Sequence, residues 1–277
     1  MVKENRLITD YKNDNCSFKV CHQRGQILSW QPHGQPDVLW CTDERFISLD
    51  KPIRGGMPLC WPWFLKGDSG NLNPSHGFAR ISDWRLLSDQ QLEAGSHRLV
   101  YELTSKDTSS AHYSDDFCLT LEYLVGKSLC VSMTLKSTNP NDPSPAFGAL
   151  HSYFSVGDIE QTLIEGLNSP SIDYLADRRR VQEPVQVTIT GPTEKRFSNF
   201  AEGCQHVNIL DKAHQRIITL EQSGHSDIML WSPWTATGHS LKDTHPDAYK
   251  HFVCVETAAI SRPFCNHLML NLHSRTS

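Results

Sequence analysis

The sequence of 277 residues lacks the patterns that are typical of a metal site, a disulfide framework or a membrane span. Its nine cysteines are scattered, odd in number and contain no C-x-x-C pair, which argues against both a zinc site and a set of disulfides. No stretch approaches the ~18 consecutive apolar residues of a transmembrane helix, and the N-terminus has no apolar run typical of a signal peptide. We therefore expect a cytoplasmic protein with reduced cysteines and no membrane partner.

The chain also has fewer basic residues than acidic ones, 26 against 31. The formal net charge of -5 argues against nucleic acid as a partner, because binding the phosphate backbone requires a basic face. A small anionic ligand stays compatible, since about two or three local cations are enough to hold it. The hydrophobic content of 38% and the aromatic content of 9% suffice for a sizeable core, so the chain is not a disordered one.

Several common catalytic motifs are missing. The chain contains no G-x-S-x-G, no H-E-x-x-H, no P-loop and no G-x-G-x-x-G. Serines stand beside histidines at Ser75–His76 and His151–Ser152, but adjacency in sequence does not create the hydrogen bond of a catalytic triad. The fourteen histidines show no spacing typical of metal ligands, and we predict neither a metal nor another cofactor.

Apolar residues alternate with polar ones at period two along most of the chain, which is typical of half-buried antiparallel strands. In residues 98–105 this alternation puts Leu99, Tyr101 and Leu103 on one face. Residues 117–125 and 129–137 flank a short turn and predict a hairpin. The same pattern continues in residues 215–224, 226–233 and 267–274, and it puts Leu268, Leu270 and Leu272 of the last segment on one face. The best candidate helix is short, at 245–252.

The order of these elements defines the fold class. No strand–helix–strand rhythm, internal repeat or low-complexity linker interrupts the chain. The sequence therefore predicts an all-β protein, a large antiparallel β-sandwich with few short helices, in a single domain spanning residues 1–277.

Two stretches break the strand rhythm in the first third of the chain. IRGGMPLCWPWF, residues 53–64, joins Arg54 to a glycine pair and to aromatic residues, and glycines allow the backbone to approach a ligand closely or to adopt positive φ. NPSHGFARISDW, residues 73–84, carries His76 and Arg80 around a glycine.

Two further stretches bury ionisable groups. FGALHSYFSV, residues 147–156, reads as an apolar strand with His151 in its middle, and a lone histidine in that setting is most often a core residue with a satisfied hydrogen bond. In HFVCVETAAI, residues 251–260, Glu256 follows an apolar run, where a carboxylate is costly unless it is paired or protonated. Two histidines, two arginines and a glutamate in such settings together indicate a site.

The four stretches also occur in a familiar order. RGGMPLCWPWF, SHGFAR, HSYFSVGDI and VCVET, at these intervals, resemble the aldose 1-epimerase (mutarotase) superfamily, and within it the hexose-6-phosphate mutarotase branch. The resemblance extends over residues 25–272. It implies a galactose mutarotase-like β-sandwich, in agreement with the alternation of the strands.

The resemblance implies a role for each matching residue. His151 matches the general acid of the family and Glu256 its general base, while His76 matches a second histidine that holds the sugar. Arg54 and Arg80 match the substrate-binding arginines.

Two positions depart from the family pattern. The motif T-D-R-x-Y, whose aspartate binds sugar hydroxyls, is closest to TEKRF at residues 193–197, so that Glu194 stands in the position of the aspartate. Ser75 precedes the histidine of SHGFAR, where some members have glutamine, and we include both residues among the substrate-binding candidates.

The implied reaction interconverts the α and β anomers of a hexose 6-phosphate, foremost glucose 6-phosphate, by acid–base ring opening without a cofactor. Its partner is then a small sugar phosphate, and we expect a monomer or weak homodimer. Two alternatives stay open: an epimerase of unphosphorylated aldoses, and a non-catalytic carbohydrate-binding protein. Trp61, Trp63 and Phe64 are candidates for the wall of the sugar site, with core packing as the alternative.

Overall fold

The computed structural model describes the chain over most of its length, in ten segments. They are residues 7–108, 110, 112–113, 116–137, 145–168, 170–198, 200, 205–235, 241–263 and 267–277. Within these segments the strands form two large sheets and one small sheet, and every pair of neighbouring strands is antiparallel.

The larger of the two main sheets has nine strands among the described residues. From one edge to the other they are β14 (Gln186–Thr188), β11 (Thr162–Glu165), β16 (Gln205–Asp211), β17 (Arg216–Ser223), β20 (His267–Thr276), β8 (Leu129–Ser137), β7 (Phe117–Val125), β6 (His97–Thr104) and β5 (Arg85–Gln91). The predicted hairpin of residues 117–137 is confirmed as β7 and β8.

The second main sheet carries the elements that form the candidate site. Its order is β13 (Arg179–Val181), β12 (Ser171–Asp173), β15 (Thr193–Ser198), β18 (Asp227–Ser232), β19 (Phe252–Ala259), β9 (Gly148–Leu150) and β4 (Leu59–Cys60), and β10 (Tyr153–Ser155) also pairs with β19.

The remaining elements are short. A three-stranded sheet consists of β1 (Thr9–Lys12), β2 (Cys16–Cys21) and β3 (Gln26–Pro32). Six 3₁₀ turns lie in the described segments, at His22–Arg24, Glu44–Phe46, Ala79–Ile81, Glu93–Gly95, Ile159–Gln161 and Ala248–His251. The prediction of a helix at 245–252 is therefore wrong in length and type, because only Ala248–His251 forms a turn, and this turn is of the 3₁₀ type. No helix in the described segments is long and apolar enough to cross a membrane.

The alternation read from the sequence corresponds to one shared core. Leu99, Tyr101 and Leu103 on β6 are fully buried, as are Leu268, Leu270 and Leu272 on β20, which confirms both predicted faces. These side chains belong to a single apolar cluster that also contains residues from the second main sheet and the three-stranded sheet. The three sheets therefore share one hydrophobic core, as expected of a sandwich.

Strand β19 is buried on both of its faces. Val253 and Val255 point into the shared core, whereas Phe252 and Cys254 belong to a separate cluster on the opposite face. Because side chains alternate along a strand, Glu256 shares that opposite face. The carboxyl group is buried there without lying in the hydrophobic core.

A close backbone contact fixes the loop that carries His76. Gly77 has a φ of 72° and forms a bridge with Trp61. A Cβ atom at Gly77 would lie 2.0 Å from the Trp61 carbonyl oxygen, so only glycine fits at this position.

Substitution of Gly77 by alanine should therefore lower the free energy of unfolding by about 3 kcal/mol, because it adds a backbone clash to the strain of a positive φ. Gly70 is a matched control, since its φ is 71° and nothing lies within 4 Å of its virtual Cβ. Gly70→Ala should cost only about 1 kcal/mol. Urea unfolding of both variants measures the difference, and equal losses would contradict the steric account.

Candidate active site

Three neighbouring strands bring the polar residues of the site onto one face of the second sheet. The register pairs Glu256 on β19 with Met229 on β18, and Trp231 on β18 with Glu194 on β15. Met229 and Trp231 are two residues apart and therefore share a face, which is also the face of Glu256. The alternation of the strands thus brings Glu194 and Glu256 together, although they are 62 positions apart in the sequence.

His151 lies in a gap between two strands and not inside one. The predicted continuous strand 147–156 is wrong, because β9 ends at Leu150 and β10 begins at Tyr153. Leu150 pairs with Thr257 and Tyr153 with Cys254, so the same register holds on both sides of the gap. This register brings His151 opposite Glu256, while the backbone N–H of His151 donates to the carbonyl of Pro58.

The imidazole and the carboxyl group face each other at close range. The distance from His151 Nε2 to Glu256 Oε1 is 3.4 Å, and the two residues are 7% and 1% exposed. His151 Nδ1 and Glu256 Oε2 are both buried without a hydrogen-bond partner among the described residues. Unsatisfied polar atoms are costly in a protein interior, so these two atoms are candidates for contact with a ligand.

Burial shifts the pKa values of both groups toward their neutral forms. The pKa of Glu256 is raised well above its ordinary range, mainly by burial and further by the nearby Glu194. The pKa of His151 is lowered well below its ordinary range, by burial first and then by the neighbouring His76 and the positive charge of Arg80. Burial thus makes a doubly charged pair costly and favours a state in which the carboxyl group keeps the proton.

His76 forms the adjacent wall of the site. Its ring centroid lies 5.7 Å from that of His151, in an edge-to-face arrangement, and a second edge-to-face contact joins it to Phe64. The Sγ atom of Cys60 lies 3.4 Å from His76 Nδ1. Burial and the nearby Arg80 lower the pKa of His76 to about 3, so its imidazole is neutral at physiological pH and can exchange hydrogen bonds with a polar ligand.

The two predicted arginines also reach the site. Arg54 donates from Nε to Asp243 Oδ1 at 2.7 Å and from Nη1 to the Tyr153 hydroxyl at 3.4 Å. Arg80 donates from Nη2 to the backbone carbonyl of Ser75 at 2.7 Å.

Six of the seven sequence-predicted site residues line one cavity of about 260 Å³. Ser75 does not line it, and its carbonyl group instead holds Arg80. The substrate-binding role of Ser75 stays a prediction without a contact in the cavity. The full lining is Arg54, Phe64, Leu65, His76, Arg80, His151, Tyr153, Glu194, Met229, Trp231 and Glu256.

The aromatic wall of the cavity differs from the predicted one. Of the three proposed aromatic residues only Phe64 lines the cavity, because Trp61 and Trp63 are buried in the shared core. Tyr153 and Trp231 take their place: the Tyr153 ring stacks on His151 at 4.9 Å and 10°, and Trp231 meets His151 edge-on at 6.1 Å. Sequence analysis missed both because each occupies a strand that reads as apolar.

This arrangement is suited to moving protons. The Glu256 carboxyl group and the His151 imidazole lie 3.4 Å apart at the wall of a cavity. Each also has a second polar atom without a hydrogen-bond partner among the described residues. Within the described segments, no group of three or more histidine, cysteine, aspartate or glutamate side chains has the spacing of a metal site.

Comparison with known proteins agrees with this fold. The aldose 1-epimerase family model matches residues 6–269, and the chain therefore belongs to this family of isomerases. The family match begins at residue 6, whereas the resemblance read from the motifs begins at residue 25.

The similar proteins fall within the same group. A curated Escherichia coli K12 protein named "Putative glucose-6-phosphate 1-epimerase" is 34% identical over 257 residues, which cover 92% of this chain and 83% of that protein. A Salmonella typhimurium relative with the same name is 32% identical, with 93% and 84% of the two chains covered. The crystal structure of a "putative mutarotase" from Salmonella typhimurium has a TM-score of 0.87 at 28% identity, and the match covers 98% of this chain and 90% of that one.

The ionisation of Glu256 should leave a signature in the stability of the protein. Because its pKa is raised in the folded state, folding is opposed above the unfolded pKa of 4.5, where the carboxylate must take up a proton or lose its hydration. Glu256→Gln removes this penalty and should raise Tm by about 2 °C or more near pH ~8, with little change near pH ~4.

Thermal unfolding at both pH values measures this effect. Glu93→Gln is a matched control, because Glu93 is exposed and its replacement should leave Tm unaltered at either pH. A Glu256→Gln variant that is less stable than the parent near pH ~8 would contradict the raised pKa.

Proposed function

We propose that the chain interconverts the α and β anomers of a hexose 6-phosphate, with glucose 6-phosphate as the substrate, by acid–base opening and closing of the sugar ring. The observation that carries the phosphate part of the proposal is the presence of Arg54 and Arg80 in the wall of the cavity that contains His151 and Glu256. The names of the Escherichia coli and Salmonella typhimurium relatives support the same substrate.

The charges in the cavity suit a phosphate dianion. Asp243 pairs with Arg54, while burial raises the pKa values of Glu194 and Glu256 and so favours their neutral forms. Arg54 has a carboxylate partner in Asp243, whereas Arg80 donates to the uncharged carbonyl of Ser75, and a sugar phosphate would supply negative charge to both guanidinium groups.

Both arginines have donors to spare. A guanidinium carries five N–H groups in a planar fork. Arg54 uses its Nε and Nη1 atoms in hydrogen bonds, and Arg80 uses Nη2, whereas Arg80 Nε is buried without a partner among the described residues. Phosphate oxygens are well matched to such free N–H groups.

The His151–Glu256 pair provides the proton transfers that ring opening needs. In the proposed step the Glu256 carboxylate removes the proton from the C1 hydroxyl, the bond between C1 and the ring oxygen breaks, and His151 protonates the ring oxygen. The product is the open-chain aldehyde. Rotation about the C1–C2 bond and the reverse transfers close the ring on the opposite face and restore both groups, so no cofactor is consumed.

Burial favours this direction of proton flow. The reactive state has a charged imidazolium and a charged carboxylate, while ring opening leaves both groups neutral. Because burial raises the pKa of Glu256 and lowers that of His151, it penalises the charged pair before the reaction and relieves that penalty during ring opening.

The direct test of the substrate is a coupled assay of anomer interconversion. The unmodified protein is compared on glucose 6-phosphate, glucose and galactose, after subtraction of the spontaneous rate. We expect a higher kcat/KM for glucose 6-phosphate than for either free sugar. A higher value for a free sugar would favour an aldose epimerase, and no activity on any of the three would favour a binding protein.

Arg80→Ala should weaken binding of glucose 6-phosphate about 10- to 150-fold and binding of glucose far less, because a charge-assisted contact to phosphate contributes about 1.5–3 kcal/mol. Arg80→Lys keeps the charge but not the planar fork, and it should recover only part of the loss. Titration of both sugars into each variant measures the effect. Equal weakening on the two sugars, with a lower Tm, would instead assign Arg80 a structural role through its contact with Ser75.

A further inference from the structure

We propose that Asp243, which lies outside the cavity, is a positioning residue that aims the guanidinium of Arg54 at the phosphate of the substrate. This inference rests on the proposed function. Arg54 lines the cavity and Asp243 does not, yet Arg54 Nε donates to Asp243 Oδ1 at 2.7 Å. Their side chains are 22% and 16% exposed, so the pair is largely shielded from water.

A buried threonine fixes this ion pair. The backbone N–H of Thr42 donates to the carbonyl of Arg54 at 3.1 Å, and its hydroxyl donates to the carbonyl of Asp243 at 2.7 Å. Thr42 is only 6% exposed. One residue therefore ties together two backbone segments that are 189 positions apart in the sequence, and it sets the distance between the carboxylate and the guanidinium.

Two of the three nitrogen atoms of the Arg54 guanidinium are held by hydrogen bonds. Asp243 accepts from Nε, and the Tyr153 hydroxyl accepts from Nη1 at 3.4 Å. Because the group is planar, two contacts fix the direction of the third nitrogen. The described residues give Nη2 no hydrogen-bond partner, so it is the atom available to a phosphate oxygen.

Asp243 affects the binding of a phosphate by Arg54 in two opposite ways. The negative charge of Asp243 reduces the attraction of Arg54 for a phosphate, whereas the hydrogen bond holds a long side chain in place and lowers the entropy lost on binding. An asparagine keeps a carbonyl oxygen for Arg54 Nε and removes the charge, while an alanine removes both. The two substitutions therefore separate the two effects.

The experiment measures KM for glucose 6-phosphate and for glucose in Asp243→Ala, Asp243→Asn and the parent protein. In Asp243→Ala the KM for glucose 6-phosphate should rise about 5- to 10-fold more than that for glucose, the value of roughly one hydrogen bond. Asp243→Asn should stay within about 2-fold of the parent. Asp43→Ala is a matched control, since Asp43 also pairs with a cation on these loops but does not line the cavity.

A rise of less than about 2-fold in Asp243→Ala, or an equal rise on both sugars, would overturn the inference. It would also be overturned if Asp243→Asn behaved more like the alanine variant than like the parent. Thr42→Val covers the case in which Asp243→Ala does not fold, and it should raise the KM ratio about 2-fold or more, with no rise as the contrary result. Failure of the proposed function is seen separately, in the unmodified protein, as the absence of a preference for glucose 6-phosphate.

Discussion

The antiparallel register that β19 shares with β9 and β10 is the constraint on which the site depends. Because the pairing of Leu150 with Thr257 and of Tyr153 with Cys254 belongs to the same register, the two residues between β9 and β10 cannot drift along the sheet. His151 consequently faces Glu256 at 3.4 Å. The gap frees the backbone N–H of His151 from the ladder, and the carbonyl of Pro58 receives it.

This geometry also determines the electrostatics of the site. Holding two ionisable groups on the buried face of a sheet costs stability, and burial moves both pKa values toward the neutral forms. The raised pKa of Glu256 and the lowered pKa of His151 make transfer of one proton between this pair and a substrate easier. Tyr153 stacks on the imidazole and also touches Arg54, so the proton-transfer pair and the proposed phosphate contact share one side chain.

Local pattern was sufficient to predict much of the fold and part of the site. The alternation of Leu268, Leu270 and Leu272 predicts a strand because burial on one face requires period two. The motifs around His151 and Glu256 identify the family, but their direct opposition follows from register, which links residues distant in sequence. The gap after Leu150 could not be predicted, because FGALHSYFSV is mostly apolar on both sides of His151 and contains no proline or other strand-breaking residue at that point.

The positions of the aromatic residues and of the Arg54–Asp243 ion pair could not be predicted from the sequence either. Trp61 and Trp63 neighbour Phe64 in sequence but pack into the core, whereas Trp231 reaches the cavity from a different strand. No local signal connects Arg54 with Asp243. What brings them together is Thr42, whose backbone N–H and hydroxyl bind the carbonyl groups of the two residues.

The most direct test of the central claim is the rate of anomer exchange in Glu256→Gln, measured by exchange NMR on glucose 6-phosphate beside the unmodified protein. If the carboxyl group opposite His151 carries the proton from the C1 hydroxyl, the variant should bind the sugar phosphate but lose at least ~100-fold in rate. A variant that keeps more than about a tenth of the parent rate would contradict the assignment of the pair as the centre of proton transfer.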